Sequence, residues 1–317
     1  MRPPASESAR ASLLVFGGII SVQVGAGLAA RMFSQAGPAG VTGLRLWWAA
    51  LIMAVVGGRA LAAELRTVLA ARAWHDLAVA LAFGLVLAVM NFSIYQSFAR
   101  IPLGVAVTIE FLGPLAVAVA SSRRWLDLVW VALAAAGVLL LTQGGALASG
   151  SGAHSGPVLG LSRTATGIGC ALIAGTCWAC YILLSRATGR RFGGSAGLVI
   201  AMIVAALLVT GPAIGLAGPA IWHPAVLAAG LAVGLLSSVV PYWAELEALR
   251  RVPAGIFGIW MSVEPAVAAL VGLVLLGEAL VARQWLAIVA VIVASAGASR
   301  YGSARRPRGE LPPPPAG

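Results

Sequence analysis

The chain is built from long apolar runs separated by short breaks rich in glycine, proline, serine or arginine. Ten of these runs, roughly 12–30, 41–58, 76–98, 103–120, 127–146, 166–185, 196–216, 225–246, 255–276 and 283–299, approach the length a helix needs to cross hydrocarbon. The polar–apolar alternation of a transmembrane barrel is missing, so the pattern predicts an all-α integral membrane protein with ten transmembrane helices. A glycine- and serine-rich stretch around Gly144–Thr166 divides the runs five and five. The expected organisation is an N-terminal segment 1–11, a first five-helix unit 12–146, a flexible linker 147–165, a second unit 166–299 and a tail 300–317. The tail ends in Pro312–Pro315, and its composition predicts disorder.

The two units are copies of one pattern. Arg100, Pro102, Gly104 and Pro114 each recur 151 positions later, as Arg251, Pro253, Gly255 and Pro265. Asp127 and Glu278 keep the same spacing, each opening the last run of its unit. Arg31 and Arg186 close the first runs, which aligns Gln23 with Trp178. An odd number of crossings makes the second copy enter the membrane from the opposite side, so the expected fold is two inverted five-helix repeats. Such repeats are typical of secondary transporters, with a site between them near the midplane. Glu110 and Glu264 break the repeat, because their equivalents are Met261 and Gly113.

Composition agrees with membrane residence: 60% of the 317 residues are hydrophobic, 10% are charged, and mean hydropathy is +0.97. A net charge of +11 invites a nucleic-acid partner, but the distribution of the 21 arginines argues for the lipid bilayer instead. With the N-terminus inside, sixteen arginines fall in cytoplasmic segments, four in outer ones, and Arg45 within a run. That asymmetry predicts two cytoplasmic termini. Arg2 and Arg10 before Leu13–Ile20 resemble a signal peptide, yet Gln23 and Arg31 suit a retained first span. Cys170, Cys177 and Cys180 share one run and are expected to be small buried thiols rather than a redox pair. His75, His154 and His223 lie in or beside breaks, and no nucleophile–base pair or metal cluster emerges. The chain therefore does not read as an enzyme, and no cofactor is expected.

Polar residues inside the runs carry the candidate chemistry, since a charge at that depth costs about 2.5–3.5 kcal/mol on insertion scales. Glu110 lies four residues before Pro114, where a missing backbone donor gathers carbonyls beside a carboxylate. It can carry a proton, face a substrate amine, or be a protonated acid bonded to a neighbouring helix. Glu264 is followed by Pro265 and shares a face with Trp260 and Phe257, which suits a cation, a loaded proton or a capped helix break. Glu245 shares a face with Pro241 and Ser238, whereas Glu247 is placed to pair with Arg250 and Arg251 at the surface. Arg45 can hold a carboxylate, neutralise an acid, or snorkel to an interface five residues away. Gln23, Asn91 and Tyr95 can bond a zwitterion or tie helices together. Trp178, Trp243 and Trp260 can line a cavity or simply pack, and the GxxxG of Gly230 and Gly234 signals close helix contact.

These residues resemble the EamA-type drug/metabolite transporter superfamily, and within it the bacterial threonine/homoserine exporters. The matching segments include Ser21-Val-Gln-Val-Gly-Ala26, Gly40-Val-Thr-Gly-Leu-Arg-Leu46, Met90-Asn91 with Tyr95, and Ile101-Pro-Leu-Gly-Val-Ala-Val107. They continue through Glu110-Phe-Leu-Gly-Pro114, Cys177-Trp-Ala179, Pro241-Tyr242 with Glu245, Met261-Ser262 with Glu264-Pro-Ala266, and Gly277-Glu278, covering about residues 12–300. The resemblance implies a central cavity and export of small amino acids or their analogues in exchange for protons. A broader export of amphiphilic or cationic compounds is the alternative. The expected partners are thus a small-molecule substrate, protons and lipid, and a homodimer is left open.

Overall fold

Runs that are apolar on every side can satisfy their backbone groups in hydrocarbon only as helices, and the computed structural model of the chain folds them that way. It describes residues 5–120, 127–142, 162–193, 195–252 and 254–302. The elements are α1 (Ala5–Arg31), α2 (Phe33–Ala70), α3 (Trp74–Phe98), α4 (Leu103–Glu110), α5 (Leu112–Ala120), α6 (Asp127–Thr142), α7 (Arg163–Gly189), α8 (Ala196–Ala217), α9 (Pro224–Gly234), α10 (Val240–Leu249), α11 (Ala254–Met261), α12 (Glu264–Val271) and α13 (Ala282–Gly302). No strand occurs among the described residues. Most of the expected linker, the tail beyond Gly302, and Arg123, Arg124 and Pro253 lie outside them.

Nine stretches of the described residues are long and apolar enough to cross a membrane. The fifth expected run is represented by α6, whose apolar part, Val129–Leu140, is shorter. The second span begins at Phe33, well before the expected start at 41. Gly37 and Pro38 bend the chain without ending the helix: Gly37 turns to φ 64° and ψ 167°, and helix continues on both sides. Arg45 therefore sits twelve residues into its span, about 18 Å along the axis, rather than near an interface.

Two spans are broken at their acids. The fourth is α4 and α5, interrupted at Phe111 directly after Glu110. The ninth is α11 and α12, interrupted at Ser262 and Val263 directly before Glu264. Pro114 and Pro265, each lacking a backbone donor, keep the helical ladder from closing across these points.

Helix pairing interleaves the two halves of the chain. α2 packs on α8, α3 on α7 and α8, α1 on α10, α6 on α13, and α4 on α12. Small residues allow the approach: a Cβ at Gly104 would lie 2.6 Å from the Ala269 Cα. The shared core runs from Ala26 and Leu44 through Tyr95 and Ile109 to Met202 and Ala268. Leu13, Val55, Leu139, Leu207, Leu216, Val274 and Leu286 point outward. An apolar perimeter around a core that holds Gln23, Arg45 and Glu264 is the polarity a protein in lipid requires.

Candidate functional site

The site begins with a defect in a helix. Between α9 and α10 the chain widens into a π turn, Leu235–Val239, so Val240 donates to Leu235 and the Leu236 carbonyl is left over. Ser21 on α1 takes it, its Oγ donating at 2.8 Å. Pro241 has no N–H to offer the Ser237 carbonyl four residues earlier, and Arg45 replaces that donor through Nη2 at 2.8 Å. The guanidinium also donates through Nε to Ser238 Oγ at 3.1 Å and through Nη1 to Tyr95 Oη at 3.3 Å. It stands 5.4 Å from the centroid of the Tyr95 ring.

Close packing makes these contacts possible. Gly230 accommodates Leu44, and Gly234 sits under the Arg45 carbonyl and Trp48. The GxxxG thus presses α9 onto α2 and delivers the π turn to the arginine. Arg45 is buried and its bonded partners are neutral. Those bonds use three of its five N–H groups, leaving one on each terminal nitrogen.

The acids gather beside it. Gln23 on α1 donates through Nε2 to Glu264 Oε1 at 2.9 Å, and both side chains are buried. Glu110, at the end of α4, is within electrostatic reach of both Glu264 and Arg45. Glu245 on α10 is within reach of Glu264 as well. Tyr242 is within electrostatic reach of Arg45, Glu245, Glu110 and Tyr181 on α7. Gln23 Oε1, Glu264 Oε2 and Ser237 Oγ are buried without a hydrogen-bond partner among the described residues. Donors on Arg45 and acceptors on Gln23 and Glu264 thus line one polar cluster between the halves. Among the described residues no group of His, Cys, Asp and Glu could hold a metal ion.

The remaining candidates are placed as follows. Asn91 is buried and donates through Nδ2 to the Leu87 carbonyl of its own helix at 2.8 Å. Trp178 packs edge-on against Phe111 at the break after Glu110, with ring centroids 5.3 Å apart. Trp260 packs on Phe16 within an apolar cluster that includes Val15, Ile19 and Ala248. Trp243 is 61% exposed on the outer surface and lines no part of the cluster. Glu247 pairs with Arg251 at 2.6 Å and with Arg250 at 3.3 Å, as its spacing suggested. Of the cysteines, Cys170 and Cys177 are half-buried, but Cys180 is exposed, because its side of α7 faces outward. Ser21, Ser237, Tyr181 and Tyr242 were not singled out by burial or charge. The available signal was Pro241, whose missing N–H marks the Ser237 carbonyl as an acceptor in need of a partner.

Sequence comparison gives this arrangement a lineage. The EamA-like transporter family matches residues 165–300. Two relatives named threonine/homoserine exporter RhtA, from Salmonella typhimurium (strain LT2) and Escherichia coli (strain K12), are each 40% identical over 279 residues. The alignment covers 88% of this chain and 88% of each relative. A crystal structure of a protein 19% identical to this one superposes with a TM-score of 0.56, over 93% of this chain and 99% of its own, and so shares its fold. The chain belongs to the EamA-type transporters, in the family of the bacterial threonine/homoserine exporters.

Proposed function

We propose that the protein exports small amino acids of the threonine and homoserine kind across the bacterial inner membrane, in exchange for protons. The observation that carries this reading is the buried cluster itself. Its unused arginine donors suit a carboxylate, and the unpartnered oxygens of Gln23 and Glu264 suit an ammonium group. Tyr95 Oη lies on the same guanidinium and suits a side-chain hydroxyl. An amino acid bearing a hydroxyl group satisfies all three. The relatives' names point to the same substrates. Export of bulky amphiphiles is less well supported, because Trp243 faces outward and Trp260 packs on Phe16.

Glu264, Glu110 and Glu245 are the proposed proton carriers, with Glu110 and Glu245 each within electrostatic reach of Glu264. Asn91 and Trp178 complete the wall. Alternating access comes from units 12–146 and 166–299 moving against each other as inverted repeats, joined by the linker 147–165. Helix pairing supports this division. α2 with α8 and α6 with α13 join repeat-equivalent helices, α4 with α12 joins the equivalent fourth and ninth spans, and α3–α7 is mirrored by α1–α10 and α3–α8 by α2–α9. The family match confined to residues 165–300 also fits a half-chain unit. The arginine asymmetry supports a cytoplasmic segment 1–11 and a cytoplasmic tail 300–317.

The test is counterflow in proteoliposomes with labelled threonine and homoserine, with and without an imposed pH gradient. Uptake of label driven by internal amino acid, and accelerated by the gradient, is expected. No amino-acid movement under either condition overturns the substrate assignment.

A further inference from the structure

One buried acid, Glu278, lies outside this cluster and joins the two halves at one end of the bundle. Its side chain is 4% exposed, and its Oε2 accepts from the backbone N–H of Leu103 at 2.8 Å. Leu103 opens α4, and the residue before it, Pro102, provides no side-chain cap. The first N–H groups of a helix lack partners within it, so a carboxylate from the other half of the chain supplies the missing acceptor. The chain is shaped for this contact. Gly277 adopts φ 71° and ψ 22°, which folds the Glu278 N–H back onto the Gly272 carbonyl at 3.1 Å. A Cβ at Gly272 would lie 2.6 Å from Glu278 Oε2, so only glycine leaves room for the carboxylate.

Below this contact α4 and α12 are packed tightly, and every residue from Leu103 to Ile109 is buried. Towards the other end the same two spans part. α5 packs on α7 and α13, and α11 on α13 and α1, with no extensive contact between α5 and α11 among the described residues. The fourth and ninth spans thus form a wedge, joined where Glu278 sits and parted, each against α13, at the end where α5 finishes. We propose that Glu278 is a positioning residue for transport, a latch that holds the bundle shut at the Leu103 end and is released when access alternates. The sequence repeats the device: Asp127 and Ala254 stand 151 residues from Glu278 and Leu103. Asp127 therefore belongs to the opposite end. The inference deepens the transport reading, but its test reads access and not substrate.

The test uses the full chain with Cys170, Cys177 and Cys180 replaced by Ala and Thr108→Cys as the single thiol. Thr108 is 0% exposed and lies on α4 between the latch and Glu110. A membrane-impermeant maleimide is added from the Leu103 side, which the arginine asymmetry makes the outer face. Loss of a helix cap shifts such an equilibrium by about five- to tenfold, so Glu278→Ala should speed labelling by that factor. Glu278→Asp, too short to reach, should speed it in the same direction, and Glu278→Gln, which keeps an acceptor, should stay near the parent rate. Asp127→Ala, at the far end, should not speed labelling from this side. Unchanged labelling in both Glu278→Ala and Glu278→Asp overturns the proposal, as does an equal acceleration by Asp127→Ala.

Discussion

Gln23 and Glu264, 241 residues apart in the chain, meet through a 2.9 Å hydrogen bond where α1 touches α12. The repeat-equivalent contact carries no acid–amide pair. There Trp178 packs edge-on against Phe111, and Gly113, the counterpart of Glu264, lies against the Gly175 backbone on α7. The two copies share a frame but place the acid–amide pair on only one side of it. A two-fold scaffold thereby acquires a polar cluster with a direction, as a zwitterion with distinct ends requires.

If Glu264 carries the coupling proton, Glu264→Gln should separate exchange from driving force. The amide keeps a partner for Gln23 but neither ionises nor loads a proton. Counterflow of labelled threonine should persist, while acceleration by a pH gradient should fall by about tenfold or more. A gradient response equal to that of the parent would move the coupling role to Glu110 or Glu245.

Arg45 is satisfied by a planar fork, with three donors fixed on Ser238, Tyr95 and the Ser237 carbonyl. Lysine keeps the charge but cannot reproduce that geometry. Arg45→Lys is expected to raise the KM for amino acid by about tenfold or more, a loss near 1.4 kcal/mol, with a smaller effect on the maximal rate. Concentration-dependent transport in proteoliposomes distinguishes the two parameters.

Much of this was legible in the sequence, because hydrocarbon leaves the backbone few choices. Apolar runs became helices, and acids beside Pro114 and Pro265 marked the two helix breaks within a residue or two. Glycine and proline ahead of position 41 hide the start of the second span at Phe33. A positive φ at Gly37 instead bends a helix that continues. The π turn was invisible for a different reason. Nothing in Leu235–Val239 distinguishes a π from an α turn by composition, and only the packing of Gly25 against Ser237 and of Gly234 beneath Arg45 selects it. The tryptophans show the limit of depth as evidence. Trp178 and Trp243 are both inside spans, yet one packs at the break beside Glu110 and the other faces outward.

Gly113 tests why the repeat had to be broken. A Cβ there would collide with the Gly175 carbonyl, and a Cβ at Gly175 would lie 2.7 Å from the Glu110 carbonyl. Restoring the repeat with Gly113→Glu should therefore prevent folding, and Gly113→Ala should destabilise by about 1–3 kcal/mol, the usual cost of overpacking. Thermal unfolding of detergent-purified protein measures the second effect, and the yield of monodisperse protein measures the first. An alanine variant as stable as the parent would show that α5 and α7 can separate without cost.

Pro241 shapes the site through an absent bond rather than a contact, so Pro241→Ala is the most selective probe of it. Alanine restores an N–H four residues after Ser237, and that donor competes with Arg45 Nη2 for the Ser237 carbonyl. The helix should gain regularity, since proline inside a helix is unfavourable by about 3 kcal/mol, and thermal stability should rise or stay level. Affinity for amino acid should nevertheless fall, by about threefold to tenfold, because the guanidinium loses one of the bonds that orient it. Ser21→Ala releases only the Leu236 carbonyl, which Arg45 does not use, and should leave affinity within about twofold. Stability and affinity moving in opposite directions in Pro241→Ala would show the proline holding the arginine ready for substrate; a parallel loss of both would mean that it merely shapes the fold.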